Sequence, residues 1–578
     1  MPEELSCRAG RLLWLLAAAA VSGQAGGRDL SRAVLMQGTS YPQPIDLQAY
    51  TPPVDAPVPG KHFEGRLSFT ASGRNGYRSL HVDRSFLGPG HRQVDSLPDF
   101  DFDFVVDSGD IIPARRGAMP GSHPSWEIIV EPGRAWDSAE DGDYTRAALP
   151  FALEERNENC MHNGMLTFLI RSDGRISHAA WQISSETCSY EKFDAWGWLR
   201  ASYRPQPVAG AGTVVAAYRQ EVAGRLPTKP VARLAVDYPG AQPASFGNSN
   251  DVAPGNMTTF GYLIDGTHYT GGCPTRHGEY PFCDVLDLPS YSLAKSIVGA
   301  IALMRLEQLY PGAAQARIRD YVPECARDHR WDGVTFANVL DMATGLYAST
   351  DNQADEDAPG TARFFFPADH AHKIRYACRE YARQEPPGHS WVYHTSDTYV
   401  LGTAIQRYWR QRHGPTADFY RDLLVEPLWR QLGLSPPVAV TRRTYDSVAQ
   451  PFTGYGLTLH GDDIAKLALF LSAGGSIAGQ QMLDPVMLGQ ALQRDLAHPG
   501  LPAGGDEFRY AHGFWAYDAA RALGCAGETW IPFMSGFGGI VVAMLPNGTV
   551  YYYVSDGNEF RWVRAAAESN RIRRFCQP

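Results

Sequence analysis

Lysine is scarce in this chain, with six residues among 578 against forty-six arginines. Arginine does not deprotonate in proteins, so any chemistry that needs a neutral amine must draw on six positions. The formal net charge is −10 and no basic cluster stands out. That excludes nucleic acid as the main partner, because nothing is there to neutralise phosphates. Beyond the first two dozen residues no apolar run approaches the roughly 20 residues that cross a bilayer. Gly-x-Ser-x-Gly is absent, so the nucleophile elbow of α/β-hydrolases is unsupported. The histidines are scattered without a metal-binding spacing, and no cofactor or metal is expected. Nothing repeats at solenoid or propeller periods. What remains is a globular composition, 44% apolar, 20% charged and 11% aromatic. The length exceeds one ordinary core, which makes two domains the default.

The amino terminus reads as a signal peptide over residues 1–25. Arg8 and Arg11 precede the apolar stretch Leu12–Val21, and small residues follow at Ser22, Gly23 and Ala25. The alternative is a signal anchor, but the apolar run is too short to span a membrane. A periplasmic or secreted protein with a bacterial-type export signal is expected. Cys7 precedes the apolar run; the other eight cysteines, Cys160, Cys188, Cys273, Cys283, Cys325, Cys378, Cys525 and Cys576, are an even set suited to an oxidising compartment. Of about 105 connectivities, the pairing of sequence neighbours is taken as the expectation: Cys160–Cys188, Cys273–Cys283, Cys325–Cys378 and Cys525–Cys576.

Residues 26–205 are short and strand-like, broken by Gly, Pro and Asp. Phe100–Val106 alternates, Met165–Ile170 is an apolar run, and Ser172-Asp173-Gly174 turns into Ser177–Ile183. A β-rich, sandwich-like accessory domain is expected. Asp99, Asp101 and Asp103 share one strand face, which reads as solvated surface, with calcium as the remote alternative. Residues 206–578 change character. Val214–Leu226 reads as a helix and Thr258–Tyr269 as a hairpin around Asp265-Gly266. Amphipathic segments follow at Ser292–Leu309, Thr335–Met342, Asp397–Trp409 and Asp462–Ser472. Strands return at Ile540–Leu545 and Val550–Val554, before a last helix over Arg561–Phe575. This order predicts an α+β unit whose sheet takes strands from both ends, with helices between.

The first long amphipathic segment contains Ser292-Leu293-Ala294-Lys295. Residues three apart on a helix share a face, so the Lys295 amine can reach the Ser292 hydroxyl. A serine hydroxyl needs a base beside it; lysine serves only when neutral, and burial pushes it that way. The pattern alone is weak, arising by chance roughly a third of a time in a chain of this composition. A second copy, Ser189 to Lys192, has no apolar helix to bury its lysine and is set aside as chance. Lys295 could equally snorkel from a surface helix. Two further stations raise the first copy. Pro386-Pro387-Gly388 leads through Tyr393-His394-Thr395 and Asp397 into a helix, and Met534-Ser535-Gly536-Phe537-Gly538-Gly539 supplies a strand of small residues that can lie close to a substrate.

In this order the three stations resemble the serine β-lactamase, penicillin-binding protein and esterase superfamily, from about Val214 to the carboxyl terminus. Thr335–Leu346 resembles the helix and turn after the family's nucleophile helix, and Gly456–Asp463 a later helix start. The resemblance implies a β-lactamase/transpeptidase-like catalytic domain of antiparallel sheet and helices. It implies Ser292 as nucleophile, Lys295 as base and Tyr393 as the group that passes a proton to the leaving atom. Ser535 and Gly536 match the second and third positions of Lys-Thr-Gly and are expected to bind substrate. The backbone amides of Ser292 and Phe537 would form the oxyanion hole. Thr395 stands where Tyr-x-Asn has asparagine, and Asp397 follows in a spacing similar to the carboxylesterase and 6-aminohexanoate-dimer hydrolase branch. Both are expected at the substrate, with helix capping as the alternative. Tyr393 could be a core aromatic, and His389 and His394 read as pocket wall. Met534 replaces the lysine of Lys-Thr-Gly, which removes a cation.

The expected activity is hydrolysis of small carboxylic esters, amides or peptides through an acyl-enzyme. The alternatives are a β-lactamase or D-Ala-D-Ala carboxypeptidase and, from another class, a cell-wall binding or sensory protein whose first domain grips glycan.

Overall fold

Alternating apolar side chains build two large, unrelated sheets, and Ser292 lies where the second meets its helices. The computed structural model describes residues 30–38, 43–71, 76–83 and 97–576. The proposed signal peptide and Cys7 lie outside them. No helix among the described residues is long and apolar enough to cross a membrane.

The first sheet comprises β1 (Glu64–Thr70), β2 (Gly76–Asp83), β3 (Phe100–Asp107), β4 (Asp110–Pro113), β5 (Trp126–Val130), β6 (Gly133–Asp137), β7 (Thr145–Glu155), β8 (Met161–Ile170), β9 (Ala179–Thr187) and β10 (Glu191–Pro205). The β-rich character matches the expectation, but the strands do not form two separate stacked sheets. They run β1-β3-β4-β6-β7-β8-β9-β10 in one antiparallel ladder, and β10 pairs back onto β1. The ladder therefore closes into a barrel, which leaves no free edge along that path. Period-two alternation explains its interior: Leu67, Phe69, Phe102, Phe104, Phe151, Phe168 and Trp181 fill it. The opposite faces, with Trp136, Met165, Leu169, Trp196 and Trp198, join the core shared with the helices. On the outside of β3, Arg66 pairs with both Asp101 and Asp103, so two of the three carboxylates share one surface cation.

The second sheet contains β11 (Thr228–Pro230), β12 (Met257–Ile264), β13 (Thr267–Thr270), β14 (Leu501–Pro502), β15 (Phe508–Ala511), β16 (Phe514–Asp518), β17 (Trp530–Gly536), β18 (Ile540–Met544) and β19 (Val550–Ser555). Its order is β11-β13-β12-β19-β18-β17-β16-β15-β14, with strands from both ends of the unit meeting at β12–β19 as expected. Alternation divides β17–β19 cleanly. Met534, Ile540, Val542, Val550 and Tyr552 face the helices of the main core. Phe533, Val541, Ala543, Tyr551 and Tyr553 face the terminal helix Val563–Ile572 and the segment around Phe246. Ile301–Leu309, Thr395–His413 and Gly461–Ser472 occupy the main core. His370–Arg379, which the apolar pattern did not reveal, packs beside Thr395–His413. The helix expected over Val214–Leu226 starts three residues earlier, at Ala211–Ala223.

Buried ion pairs join barrel and catalytic unit. Arg442 donates to Glu127 at 3.0 Å and lies 3.2 Å from Glu154. Arg116 pairs with Glu131 and Glu221. Arg276, itself exposed, reaches the buried Glu186 and Asp194. His460 lies 3.5 Å from Asp287 and 3.9 Å from Glu131; burial works against its charge, but these carboxylates and Asp463 raise it to about 9. Lys192, from the discarded Ser-x-x-Lys copy, is buried against Asp556 and donates to Asn256. The four disulfides are Cys160–Cys188, Cys273–Cys283, Cys325–Cys378 and Cys525–Cys576, in the expected order of neighbours.

Arg442→Ala should leave Glu127 and Glu154 buried without their cation and lower the unfolding free energy by about 3–5 kcal/mol. Denaturant titration checks this, and a change below about 1 kcal/mol would remove the pair from the account of the interface.

Candidate active site

The residue before the serine is the strained point of the site. Tyr291 has φ +40°, a left-handed conformation that bulky side chains rarely adopt. It lies in the turn between Leu288-Pro289 and the helix, which opens as a π-helical segment at Lys295–Ala300 and continues as Ile301–Leu309. π-helical segments widen a helix and recur at functional sites. Here one carries the lysine, fully inside the core.

Ser292 Oγ receives two hydrogen bonds, from Lys295 Nζ at 2.9 Å and from Tyr393 Oη at 2.8 Å. The amine also donates to Thr395 Oγ1 at 2.8 Å and to the Gly454 carbonyl at 3.2 Å. It sits 4.8 Å from the centre of the Tyr393 ring. Burial lowers the lysine to about 8, against an opposing pull from the Glu356 carboxylate. Burial, with Glu356 adding to it, pushes the Tyr393 phenol well up, so it stays a proton donor at neutral pH. The lysine is buried in the core rather than snorkelling from a surface.

Thr395 links the amine to Glu356 and is not the helix cap, which falls at His394. Its backbone N–H donates to Glu356 Oε2 at 2.9 Å, and its hydroxyl donates to Glu356 Oε1. Glu356 was missed in the sequence, where it is one acid in the run Asp355-Glu356-Asp357 with no motif around it. Gly454 and Trp515 were missed for the same reason. Trp515 stacks near Tyr393 with centroids 6.2 Å apart, and Trp391 meets Trp515 at 5.1 Å. These rings wall the phenol.

β17 brings the third station alongside. A Cβ at Gly536 would come within 2.9 Å of the Ser290 carbonyl, so only glycine lets the strand lie this close to the turn. Phe537 follows; its ring centre is 5.6 Å from that of Tyr291, and it is 44% exposed. Ser535 is half-buried on the same strand. Met534 points the other way and is fully buried in the main core.

Two expectations are corrected. Asp397 does not reach the site: it is buried, 3.4 Å from His394 Nδ1 and 3.5 Å from the Thr344 hydroxyl. Two residues after Thr395 in the helix Thr395–His413, roughly half a turn on, its side chain is turned away from the face that carries Thr395 to the lysine. His394 is not pocket wall. It is buried under the Tyr381 ring with centroids 4.2 Å apart, and it bonds Asp355 at 3.0 Å. Burial opposes its charge, but Asp397 and Asp355 raise it to about 9.

The fold is a beta-lactamase fold of the serine hydrolase type. Residues 288–571 match the family model described as Beta-lactamase. Among solved structures, the chain is similar to a penicillin-binding protein homologue from Caulobacter crescentus, at 19% identity and TM-score 0.40, covering 57% of this chain and 95% of that one. A family VIII carboxylesterase shows 17% identity and TM-score 0.40, with 60% of this chain and 98% of the other covered. A candidate 6-aminohexanoate-dimer hydrolase from Bacillus anthracis shows 16% identity and TM-score 0.41, with 60% and 80% covered. No curated protein matches the chain.

The amine at Ser292 sets a pH dependence. Fluorophosphonate labelling should rise as pH passes about 8, where Lys295 loses its proton. Glu356→Gln removes the negative charge that holds the ammonium, so the lysine falls further and the acid limb moves to lower pH. A limb that stayed in place or moved upward would refute the assignment of Glu356 as the opposing charge.

Proposed function

We propose that the protein is an exported serine hydrolase that forms an acyl-enzyme on Ser292 with neutral esters or simple amides. The observation that carries this reading is the convergence of a depressed buried amine and a phenol on one serine oxygen, at 2.9 and 2.8 Å. Neutral Lys295 takes the Ser292 proton as Oγ attacks the substrate carbonyl. The resulting oxyanion is received by the backbone N–H groups of Ser292 and Phe537. Tyr393 gives its proton to the leaving oxygen or nitrogen and recovers one from the lysinium. Water then adds to the acyl carbon by the same groups in reverse, releasing the carboxylic acid and restoring the serine. Ser535 and Gly536 line the substrate along β17, and Thr395 keeps the amine pointed at Oγ. Four disulfides support residence in an oxidising compartment.

Esters are favoured over β-lactams because the strand position where penicillin-recognising relatives carry a cation holds Met534, a fully buried thioether. Losing one partner of an ion pair to substrate costs about 2–5 kcal/mol, or about thirty- to several-thousand-fold; neutral short-chain esters lose nothing by it.

Ser292→Ala should abolish labelling and turnover with the fold retained, and Tyr393→Phe should lower turnover by about 10²–10⁴-fold. Equal labelling of the alanine variant would sink the nucleophile. In a panel of short-chain esters, amides and a chromogenic β-lactam, the ester should turn over fastest. A penicillin hydrolysed faster than any ester would overturn the substrate preference.

A further inference from the structure

We propose that Asn159, a barrel residue, is a positioning residue for Ser292, so that the barrel completes the active site instead of merely accompanying it. The inference rests on the assignment of Ser292 given above and assigns a role to the first domain.

Asn159 lies in the turn between β7 and β8 and is 1% exposed. Its Oδ1 accepts three hydrogen bonds from the catalytic unit: the Tyr291 N–H at 2.8 Å, the Gly456 N–H at 3.0 Å and the Ser290 hydroxyl at 3.2 Å. Its amide nitrogen reaches the Leu457 carbonyl at 3.4 Å. Tyr291 is the left-handed residue directly before the nucleophile. Such a backbone persists only where its surroundings hold it, and Asn159 supplies the acceptor for its N–H. Gly456 lies two residues beyond Gly454, whose carbonyl receives the Lys295 amine. One oxygen therefore ties the backbone that carries the nucleophile to the segment that orients its base.

Other barrel atoms work on the same turn. The Tyr291 hydroxyl reaches the Thr187 carbonyl at 3.5 Å, and the Tyr190 ring lies 6.3 Å from that of Phe537. The disulfide Cys160–Cys188 joins Asn159's neighbour to the strand end that precedes Tyr190. A leucine at 159 would leave two buried N–H groups, those of Tyr291 and Gly456, without an acceptor. Oγ would then shift relative to Lys295 and Tyr393, and a displacement of about 1 Å costs on the order of 10²-fold in rate. Substrate affinity should hardly change, because Asn159 bonds to backbone and not to the substrate path.

The experiment compares Asn159→Leu, which keeps the volume and loses the acceptor, with Asn159→Asp, which keeps the oxygen. The fluorophosphonate adduct of the unmodified protein is first mapped by peptide mass. An adduct off Ser292 overturns the functional reading and this inference with it. With the adduct on Ser292, the leucine variant should lose about 10²-fold in labelling rate and in kcat for a chromogenic short-chain ester, with KM within about twofold. The aspartate variant should recover to within about tenfold of the unmodified rate. Leucine labelled at the unmodified rate, or aspartate as slow as leucine, overturns this inference alone. If circular dichroism shows the leucine variant unfolded, Ser290→Ala, which removes one donor to the same oxygen, is read in its place. It should lose about tenfold in kcat at unchanged KM, and an unchanged kcat overturns the inference.

Discussion

The site depends on holding one ammonium-forming group in a core without placing a carboxylate against it. Lys295 is fully buried, and its partners are two hydroxyls and a carbonyl, with Glu356 one hydroxyl further away. A directly bonded carboxylate would fix the charged form; no partner at all would leave buried donors unsatisfied. The π-helical opening of the helix, the Thr395 hydroxyl and the Gly454 carbonyl are the parts that meet both demands. The rings of Trp391 and Trp515 pack against Tyr393 on one side of the same volume.

Three of the six lysines show how differently burial can be resolved. Lys192 is neutralised by Asp556 and bridges barrel to sheet. Lys373 is fully buried and donates to the Phe364 and Phe365 carbonyls and to the Tyr455 hydroxyl; burial lowers it to about 7. It ties the Phe364–Phe365 backbone to Tyr455. Of these three, Lys295 alone donates to a serine hydroxyl among the described residues, and that neighbour, rather than burial, sets it apart.

Much of this arrangement was legible in the chain because it is local. Ser292 and Lys295 share a helix face by spacing, Tyr393 follows its Pro-Pro-Gly turn, and Gly536 sits where a strand must pass close to another backbone. The alternation of Ile540–Leu545 and Val550–Val554 announced the central strands. The rest depends on contacts that spacing does not encode. Barrel closure needs β1 to find β10 across most of the domain, and a run of alternating residues reads the same in a sandwich. Glu356 and Asn159 come from loops remote in sequence from the serine. Asp397 was placed by analogy of spacing, but helix geometry turns it toward His394, which burial alone would have left neutral.

Chain order gives the β12–β19 pairing a consequence for biogenesis. The barrel is complete within the first 205 residues, so it can close while most of the polypeptide is still to be made. β12 must then wait for β19, and Gly536 and Phe537 arrive only with the strands beside it. A chain released early would carry a finished barrel, an exposed nucleophile helix and no wall for the carbonyl oxygen. The surroundings of Ser292 are therefore completed last in the birth of the molecule, after the surface that receives the second unit has already folded.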